Sequence, residues 1–398
     1  TTAGAETNAR RGRMSRPIRH FLSHQNGDRA ALVRLETEMR RRGLSSWRDR
    51  KDQHRGVATG PAVLTAVQTD TDGFVIYGTK KILDSAYVWE HEWPPAYLRH
   101  QAETGADHPF PYPLIPIFVD IGVTDLKGAA KTFKQPLPNT FNGERLKAGT
   151  AGRRAMANHL IRIALARRSA EAAPGPLRLH LTTFAVADDL DADVLVDWSP
   201  EFTAGVTTPW TDLLLARDDL AAELARTGRG LEITVQSPLG PAFAFGHAFP
   251  HVSKIPITAG DGWQLGHAED PTQIAATDTP IVAGDQRVAI VEVSLARNVA
   301  AAVDRAVDAL GLAPSRRVSI GYGPDADHVD AAVAAAATAA FGRRLKGMRD
   351  DGISEAHVFL AGPAPLALLL GASVNAGPAM TLYHTADGDY VRSVRLPA

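Results

Sequence analysis

The sequence contains no cysteine among its 398 residues. This absence excludes disulfide bonds, thiolate nucleophiles and cysteine-based metal sites. It also lacks an apolar run long enough to span a bilayer, and it lacks the charged, apolar and small-residue regions of a secretory signal. A cytoplasmic location without a membrane partner is therefore expected.

Excess charge of either sign is absent too, because the formal net charge is −1. A balanced charge gives no overall attraction to nucleic acid, so DNA is not an expected partner, whereas a small nucleotide in a local pocket stays compatible. The histidines His247, His251 and His267 lack the spacing of metal ligands, and no metal is assigned. The chain length and its 44% apolar content predict two or three domains.

Residues 1–15 show no periodicity and are expected to form a disordered leader, with Met14 as an alternative start. Strand and helix signals alternate over 16–168, which predicts an α/β domain with a parallel sheet. The predicted strands are 18–23, 44–47, 73–77 and 114–119, and the predicted helices begin at Arg29 and cover 61–69 and 151–168. The polar stretch 120–149 is predicted to be a loop.

Residues 169–176 contain Pro174-Gly175-Pro176 and are predicted to be a linker. Strands and helices alternate again over 177–398, in two halves of about 177–280 and 285–398. The predicted strands are 177–181, 193–198 and 231–235 in the first half and 288–294, 317–321, 356–361 and 380–384 in the second. The pattern predicts two fused Rossmann-like halves with a crevice at the strand ends.

The stretch 84–93 holds carboxylates, two indoles and a tyrosine directly after the apolar strand 73–77. Ligands of parallel sheets bind outside the carboxyl ends of the strands, where Ser23-His24, Trp47 and the loop to Arg55 are also predicted to lie. This combination suits a flat, charged ligand on which positive charge develops.

Several segments of the N-terminal region resemble a TIR domain in their order and spacing. They are Phe21-Leu22-Ser23-His24, Gly43-Leu44-Ser45-Ser46-Trp47-Arg48-Asp49, Phe74-Val75-Ile76-Tyr77, and Ser85 with Val88, Glu92 and Trp93. The resemblance implies a flavodoxin-like TIR domain over 16–168. Many bacterial TIR domains hydrolyse the N-glycosidic bond of NAD+ with a glutamate on the helix after the third strand. Glu92, which is followed by Trp93, is the preferred catalytic residue, and Glu90 is the alternative.

A carboxylate near the ribose stabilises the oxocarbenium-like charge that develops as nicotinamide leaves. Six further residues are assigned to the NAD+ site. Ser23, His24 and Arg55 are expected to hold pyrophosphate or ribose, Tyr87 and Trp89 to stack on a ring, and Trp47 to contact the substrate or else to lie in the core. NAD+ is a substrate in this interpretation, and no cofactor is expected.

The C-terminal region resembles the SAVED domain, a fusion of two CARF-like halves that senses cyclic oligonucleotides. The resemblance is carried by Val196-Asp197-Trp198, Phe202, Trp210, Ser294-Leu295, Ile353, His357-Val358-Phe359-Leu360-Ala361, Pro363, Leu366-Ala367, Gly371, Asn375, Leu382-Tyr383-His384 and Gly388-Asp389-Tyr390-Val391. It implies a cyclic oligoadenylate activator, with cyclic tri-adenylate preferred. The residues expected to bind it are Lys254, Ser294, Leu295, Ala296, Gly321, Tyr322, Ala361, Gly362 and His384.

Together the two resemblances imply a TIR-SAVED effector of a CBASS antiphage system. Because the ligand is cyclic, it is expected to join protomers head to tail, and a contact that does not close produces a filament. Neighbouring TIR domains would then complete each other's NAD+ sites. The alternative is a TIR scaffold without enzymatic activity that recruits a partner after ligand sensing.

Overall fold

The structure is a computed structural model that describes most of the chain. The described residues are 16–48, 59–106, 108–138, 141–171, 174–186, 190–202, 210–260, 262–265, 273–282, 284–323, 327–386 and 388–398. The predicted leader, 1–15, and Arg55 lie outside them. The chain forms two compact units: one takes Thr1–Gly175, Ala187–Asp197 and Ala222–Thr227, and the other takes Pro176–Val186, Trp198–Ala221 and Gly228–Ala398.

The N-terminal unit is built around a five-stranded sheet with the order β2-β1-β3-β4-β5. Its strands are β1 Arg19–Ser23, β2 Ser45–Trp47, β3 Gly73–Gly78, β4 Leu114–Phe118 and β5 Glu144–Arg145, and all the pairings are parallel. The helices are α1 Arg29–Arg41, α2 Thr59–Thr65, α3 Lys80–Leu83, α4 Trp93–Gly105, α5 Val123–Thr132 and α6 Gly149–Glu171. The predicted α/β class with a parallel sheet is confirmed. This strand order is that of flavodoxin-like sheets, in which the ligand site lies between the first and third strands.

The core of this unit is aromatic. Every residue of β3 is buried, as expected for a central strand that helices cover on both faces. Phe21 stacks on Phe74 at 5.1 Å, and the edge of Trp93 packs on Phe74 at 6.0 Å. The Trp93 ring thus fixes the start of α4 against the sheet.

Two predictions for the N-terminal region are wrong in part. The stretch 120–149 is not all loop, because α5 begins after Gly122, whose backbone N–H donates to the Asp125 carboxylate at 2.8 Å. The start of the predicted linker is helical, since α6 continues to Glu171. An ion pair between Arg167 and Glu171, four residues apart at 2.6 Å, supports this last turn.

The C-terminal unit contains two sheets of predominantly parallel strands. In the first, β8 Leu231–Gln236 lies between β6 Leu177–Thr182 and β9 Ile257–Ala259, both parallel to it, and β10 Trp263–Gln264 pairs antiparallel with β9. The associated helices are α7 Ser199–Phe202, α8 Trp210–Arg226 and α9 Leu239–Gly246. The strand β7 Val194–Asp197 precedes α7 and is grouped with the N-terminal unit.

The second sheet of this unit has the order β11-β13-β12-β14-β15-β16. Its strands are β11 Ile274–Pro280, β12 Asp285–Ser294, β13 Pro314–Tyr322, β14 Glu355–Ala361, β15 Ala379–Ala386 and β16 Asp389–Leu396, and the helices are α10 Ala300–Ala309, α11 Ala331–Asp350 and α12 Ala364–Ala372. The four central strands are parallel, whereas β11 and β16 are antiparallel edge strands. The predicted Rossmann-like alternation is confirmed for the central strands.

Helices α9 and α12 meet through glycine. A Cβ atom at Gly246 would overlap the carbonyl oxygen of Leu368, and one at Gly371 would overlap the carbonyl oxygen of Phe243. The two backbones therefore approach each other without intervening side chains. Among the described residues, no helix combines the length and apolarity that crossing a membrane requires.

His20, on β1, is fully buried, and neither ring nitrogen has a hydrogen-bond partner among the described residues. Burial lowers the pKa of His20 to about 4. Between pH 6.5 and 4 this histidine is protonated in the unfolded chain but not in the folded chain. The free energy of unfolding therefore falls as the pH decreases from 6.5 to 4. We expect a loss of about 3 kcal/mol in the free energy of unfolding over this range.

Urea unfolding at several pH values measures this loss. His20→Leu should remove the contribution and flatten the pH dependence. His247, in the other unit, also has its pKa lowered to about 4 by burial and keeps its own contribution in that variant. An unchanged pH dependence in His20→Leu would contradict the assignment.

Candidate functional site

The first candidate site lies at the carboxyl ends of β1 and β3. Ser23 is the last residue of β1, and its hydroxyl donates to the Glu92 carboxylate at 2.5 Å. Both residues are buried. The structure thus brings together two residues that the sequence assigned to one site although they are 69 positions apart.

Glu92 owes its position to the turn that carries it. Val88–Glu92 form a π-helical turn directly before α4, a local widening that often occurs at functional sites. The flanking indoles of Trp89 and Trp93 are almost completely buried, which anchors the turn on both sides of the carboxylate. Glu90, the alternative catalytic residue, is exposed.

The aromatic residues assigned to the NAD+ site occupy different environments. Trp89 lies in the core and donates its indole N–H to the Ile82 carbonyl at 3.0 Å, so it offers no open face to a ligand. Trp47 is also in the core and stacks on Phe21 at 4.7 Å. Tyr87 is half-buried, and its ring lies 5.3 Å from that of His91. Of the three, Tyr87 is the one that is not fully buried.

His24 follows Ser23 and is half-buried, with Nδ1 at 3.2 Å from the Leu22 carbonyl oxygen. Burial lowers the pKa of His24, so its imidazole is neutral at pH 7. A neutral imidazole can orient a sugar hydroxyl by hydrogen bonding but does not supply a charge for a pyrophosphate.

Sequence reasoning missed Asp28, which ties together the loops after β1 and β3. Its carboxylate accepts a hydrogen bond from the Thr79 hydroxyl at 2.7 Å and pairs with the Lys81 ammonium at 3.0 Å. The available signal was an aspartate immediately before α1, a position typical of helix N-termini. Its cross-loop role depends on the parallel pairing of β1 and β3 and is not visible in local sequence.

The second candidate site is a cavity of about 390 Å³ in the C-terminal unit. It lies at the carboxyl ends of β12 and β13, beside the start of α10. Its lining residues are Glu292, Ser294, Ala296, Arg297, Asn298, Ala300, Ser319, Ile320, Gly321 and Tyr322. Four residues assigned to the ligand site from sequence, Ser294, Ala296, Gly321 and Tyr322, are among them.

Three other assigned residues shape the surroundings of the cavity. The backbone N–H groups of Leu295 and Ala296 donate to the Ala361 carbonyl at 2.8 and 3.1 Å, which joins the ends of β12 and β14. The Tyr322 hydroxyl donates to the Leu295 carbonyl at 2.5 Å. Leu295 is fully buried, and Gly362 follows Ala361 at the end of β14. Leu295, Ala361 and Gly362 are outside the lining and support its wall.

The two remaining assigned residues lie away from the cavity lining. Lys254 is exposed in the loop before β9 and has a positive φ of 58°. His384 lies on β15, half-buried, and its Nδ1 has no hydrogen-bond partner among the described residues. Burial lowers the pKa of His384, so it is uncharged at pH 7.

Sequence reasoning also missed Glu292, the buried carboxylate of the cavity. It accepts a hydrogen bond from the Ser319 hydroxyl and another from Arg317 Nη2 at 2.7 Å. Arg317 in turn pairs with Asp304 of α10 at 2.5 Å. In the sequence Glu292 interrupts an apolar run, Val288–Val293, and an acidic residue inside a buried strand was the available signal.

The cavity lies within a segment that a family model identifies. Residues 216–396 match the SAVED model, described as "SMODS-associated and fused to various effectors sensor domain". This segment is therefore similar to a SAVED sensor domain. We call residues 216–396 the SAVED region. The comparison with curated protein sequences gave no match.

Solved structures similar to the chain include Cap4 SAVED/CARF-domain containing receptors. That of Acinetobacter baumannii with the cyclic trinucleotide 2'3'3'-cAAA is 13% identical, with 87% of each chain covered and a TM-score of 0.47. The same receptor with 3'3'3'-cAAA is 14% identical, with the same coverage and a TM-score of 0.46. The Moraxella osloensis receptor is 11% identical, covering 96% of this chain and 87% of the other, with a TM-score of 0.44.

Proposed function

We propose that the chain is a cyclic-oligonucleotide sensor whose SAVED region controls an NAD+-cleaving N-terminal unit in antiphage defence. The observation that carries the sensor role is the cavity at the carboxyl ends of β12 and β13, which lies inside the SAVED region. Its lining combines backbone and hydroxyl groups, an arginine and a carboxylate, which suits a nucleotide with phosphate, sugar and base.

For the activator we propose a cyclic oligoadenylate, with cyclic tri-adenylate as the first choice. The Arg297 guanidinium and the Asn298 amide line the cavity beside α10 and are the groups suited to phosphate. The Ser294 hydroxyl at the end of β12 is suited to a ribose. Both cyclic trinucleotides present in the Acinetobacter baumannii receptor structures serve as probes.

For the effector we propose NAD+ glycohydrolysis by a TIR domain, with Glu92 as the catalytic carboxylate. Its support is the Ser23–Glu92 pair at the position where flavodoxin-like sheets bind ligands. The carboxylate would stabilise the ribosyl cation while nicotinamide departs, and water would then complete the hydrolysis. Ser23 holds the carboxylate and is therefore a positioning residue.

We propose that assembly couples the two activities. Glu92 is only 4% exposed, and an enclosed carboxylate does not reach a substrate from bulk solvent. Head-to-tail association of protomers through the cyclic ligand would bring neighbouring N-terminal units together and rearrange the turn Val88–Glu92. The same burial favours a second candidate function, in which Ser23–Glu92 is a structural pair and the N-terminal unit recruits a partner without catalysis.

The test uses the purified full chain with NAD+, with and without cyclic tri-adenylate. We expect calorimetry to show ligand binding and light scattering to show ligand-dependent oligomerisation of the protein. We also expect nicotinamide release that depends on the ligand. Binding and oligomerisation without nicotinamide release would favour the recruiting function. A lack of binding by both cyclic trinucleotide isomers would overturn the proposed activator.

A further inference from the structure

The cavity in the SAVED region contains a buried carboxylate, that of Glu292. Binding of phosphate does not explain its presence. Glu292 lines the cavity and is 5% exposed. Its two oxygens accept from Ser319 and Arg317, one each. A carboxylate oxygen accepts about two hydrogen bonds, so each oxygen keeps one acceptor direction beyond the partner named here.

The register of the strands places this carboxylate below an opening. Glu292 pairs with Ser319 and Ser294 pairs with Gly321, so all four residues lie on one face of the sheet. Gly321 has no side chain, and the nearest atom that a Cβ there would meet is the Ser294 carbonyl oxygen at 3.8 Å. The space above Glu292 is therefore open where side chains would otherwise close it.

Charge and size restrict what enters this space. The guanidinium of Arg317 already pairs with the carboxylates of Glu292 and Asp304. It therefore provides no unpaired positive charge for an anion that binds next to Glu292. A phosphate there would face the Glu292 carboxylate directly and be repelled. The cavity volume of about 390 Å³ is near the lower end of small-molecule pockets, about 300–1,000 Å³, so it fits one nucleotide unit of a cyclic ligand.

We propose that Glu292 selects the base of that unit by accepting a hydrogen bond from its exocyclic amino group. This inference rests on the proposed sensor function and adds a specificity-determining residue to it. An amino group is a donor that matches the remaining acceptor directions of the carboxylate, whereas a base edge with a hydrogen atom or an oxygen at that position leaves these buried acceptors without a hydrogen bond.

The test compares cyclic tri-adenylate with the analogue built from purine ribonucleotides, in which hydrogen replaces the 6-amino group. Removing the donor leaves ring size, charge and base stacking in place. We expect the analogue to bind the wild-type chain about 10- to 100-fold more weakly in calorimetry, because a hydrogen bond to a charged acceptor is lost. Both ligands are measured on the unaltered protein, so folding does not influence the comparison.

Two variants locate the effect. Glu292→Gln keeps the shape but removes the charge, and the ratio between the two ligands should fall below about 10-fold. Asp304→Asn changes the same ion-pair network from an exposed position of α10 outside the cavity lining, and it should keep the wild-type ratio. Equal affinities of the two ligands for the wild type would overturn the role of Glu292 while leaving the sensor function standing. Failure of both cyclic trinucleotide isomers to bind would overturn the proposed activator and the role of Glu292 with it.

Discussion

Glu92→Gln is expected to lower ligand-dependent nicotinamide release by about 100- to 1,000-fold, the usual effect of removing one preorganised group that stabilises transition-state charge. A neutral amide still accepts the hydrogen bond from Ser23, so the pair and the turn that carries it remain in place. What is lost is the negative charge next to the developing ribosyl cation. Single-turnover release of nicotinamide at saturating cyclic tri-adenylate measures this effect.

Glu90→Gln is the matched control, because Glu90 belongs to the same turn but is exposed. It should retain activity within about threefold of the wild type, since exposed groups are strongly screened by water. Ligand-induced oligomerisation, measured by light scattering, should be the same in both variants. If Glu92→Gln keeps full activity and Glu90→Gln loses it, the catalytic residue is Glu90.

Gly321→Leu is expected to weaken the binding of cyclic tri-adenylate by about 100-fold, because the new side chain occupies the ligand's space. The direction of a Cβ at this position is open, so the leucine enters the cavity without displacing backbone. Glycine is unfavourable inside a strand, and the variant should fold at least as stably as the wild type. Calorimetric titration and thermal unfolding of the same sample separate binding from folding.

Gly321→Ala provides a graded comparison. One methyl group removes little of the 390 Å³, so binding should weaken far less than with leucine. Because the N-terminal site is untouched, both variants should respond to ligand in proportion to occupancy. Wild-type affinity in Gly321→Leu would show that the ligand binds elsewhere in the SAVED region.

The sequence predicts those parts of the fold that local patterns encode. The central parallel strands follow from apolar runs such as Phe74–Tyr77 and Val288–Val293, and their order places Ser23 near the third strand. The edge strand Ile274–Pro280 lacks such an apolar run. Its side chains are half-buried or exposed, and none is fully buried. It exists through pairing with β13, which is a tertiary effect.

The candidate sites were predictable to a similar extent. Residues at strand ends, such as Ser294 and Gly321, line one cavity as predicted because parallel topology collects them at one edge, and their role in ligand binding stays a prediction. Trp89 was misjudged because an indole suits a ligand face and a core equally well, and only its bond to the Ile82 carbonyl decides between them. Asp28 and Glu292 were missed because their partners are distant in sequence.

The glycine contact between α9 and α12 bears on how a bound ligand acts at a distance. Between most packed helices the interlocking side chains set the distance, whereas at this contact the two backbones set it. Helix α9 follows β8 of the first sheet, and α12 follows β14 of the second. The sheet that holds the cavity is therefore joined to the first sheet by a backbone-to-backbone contact between α12 and α9, and a side chain added at Gly246 or Gly371 would have to push the two helices apart.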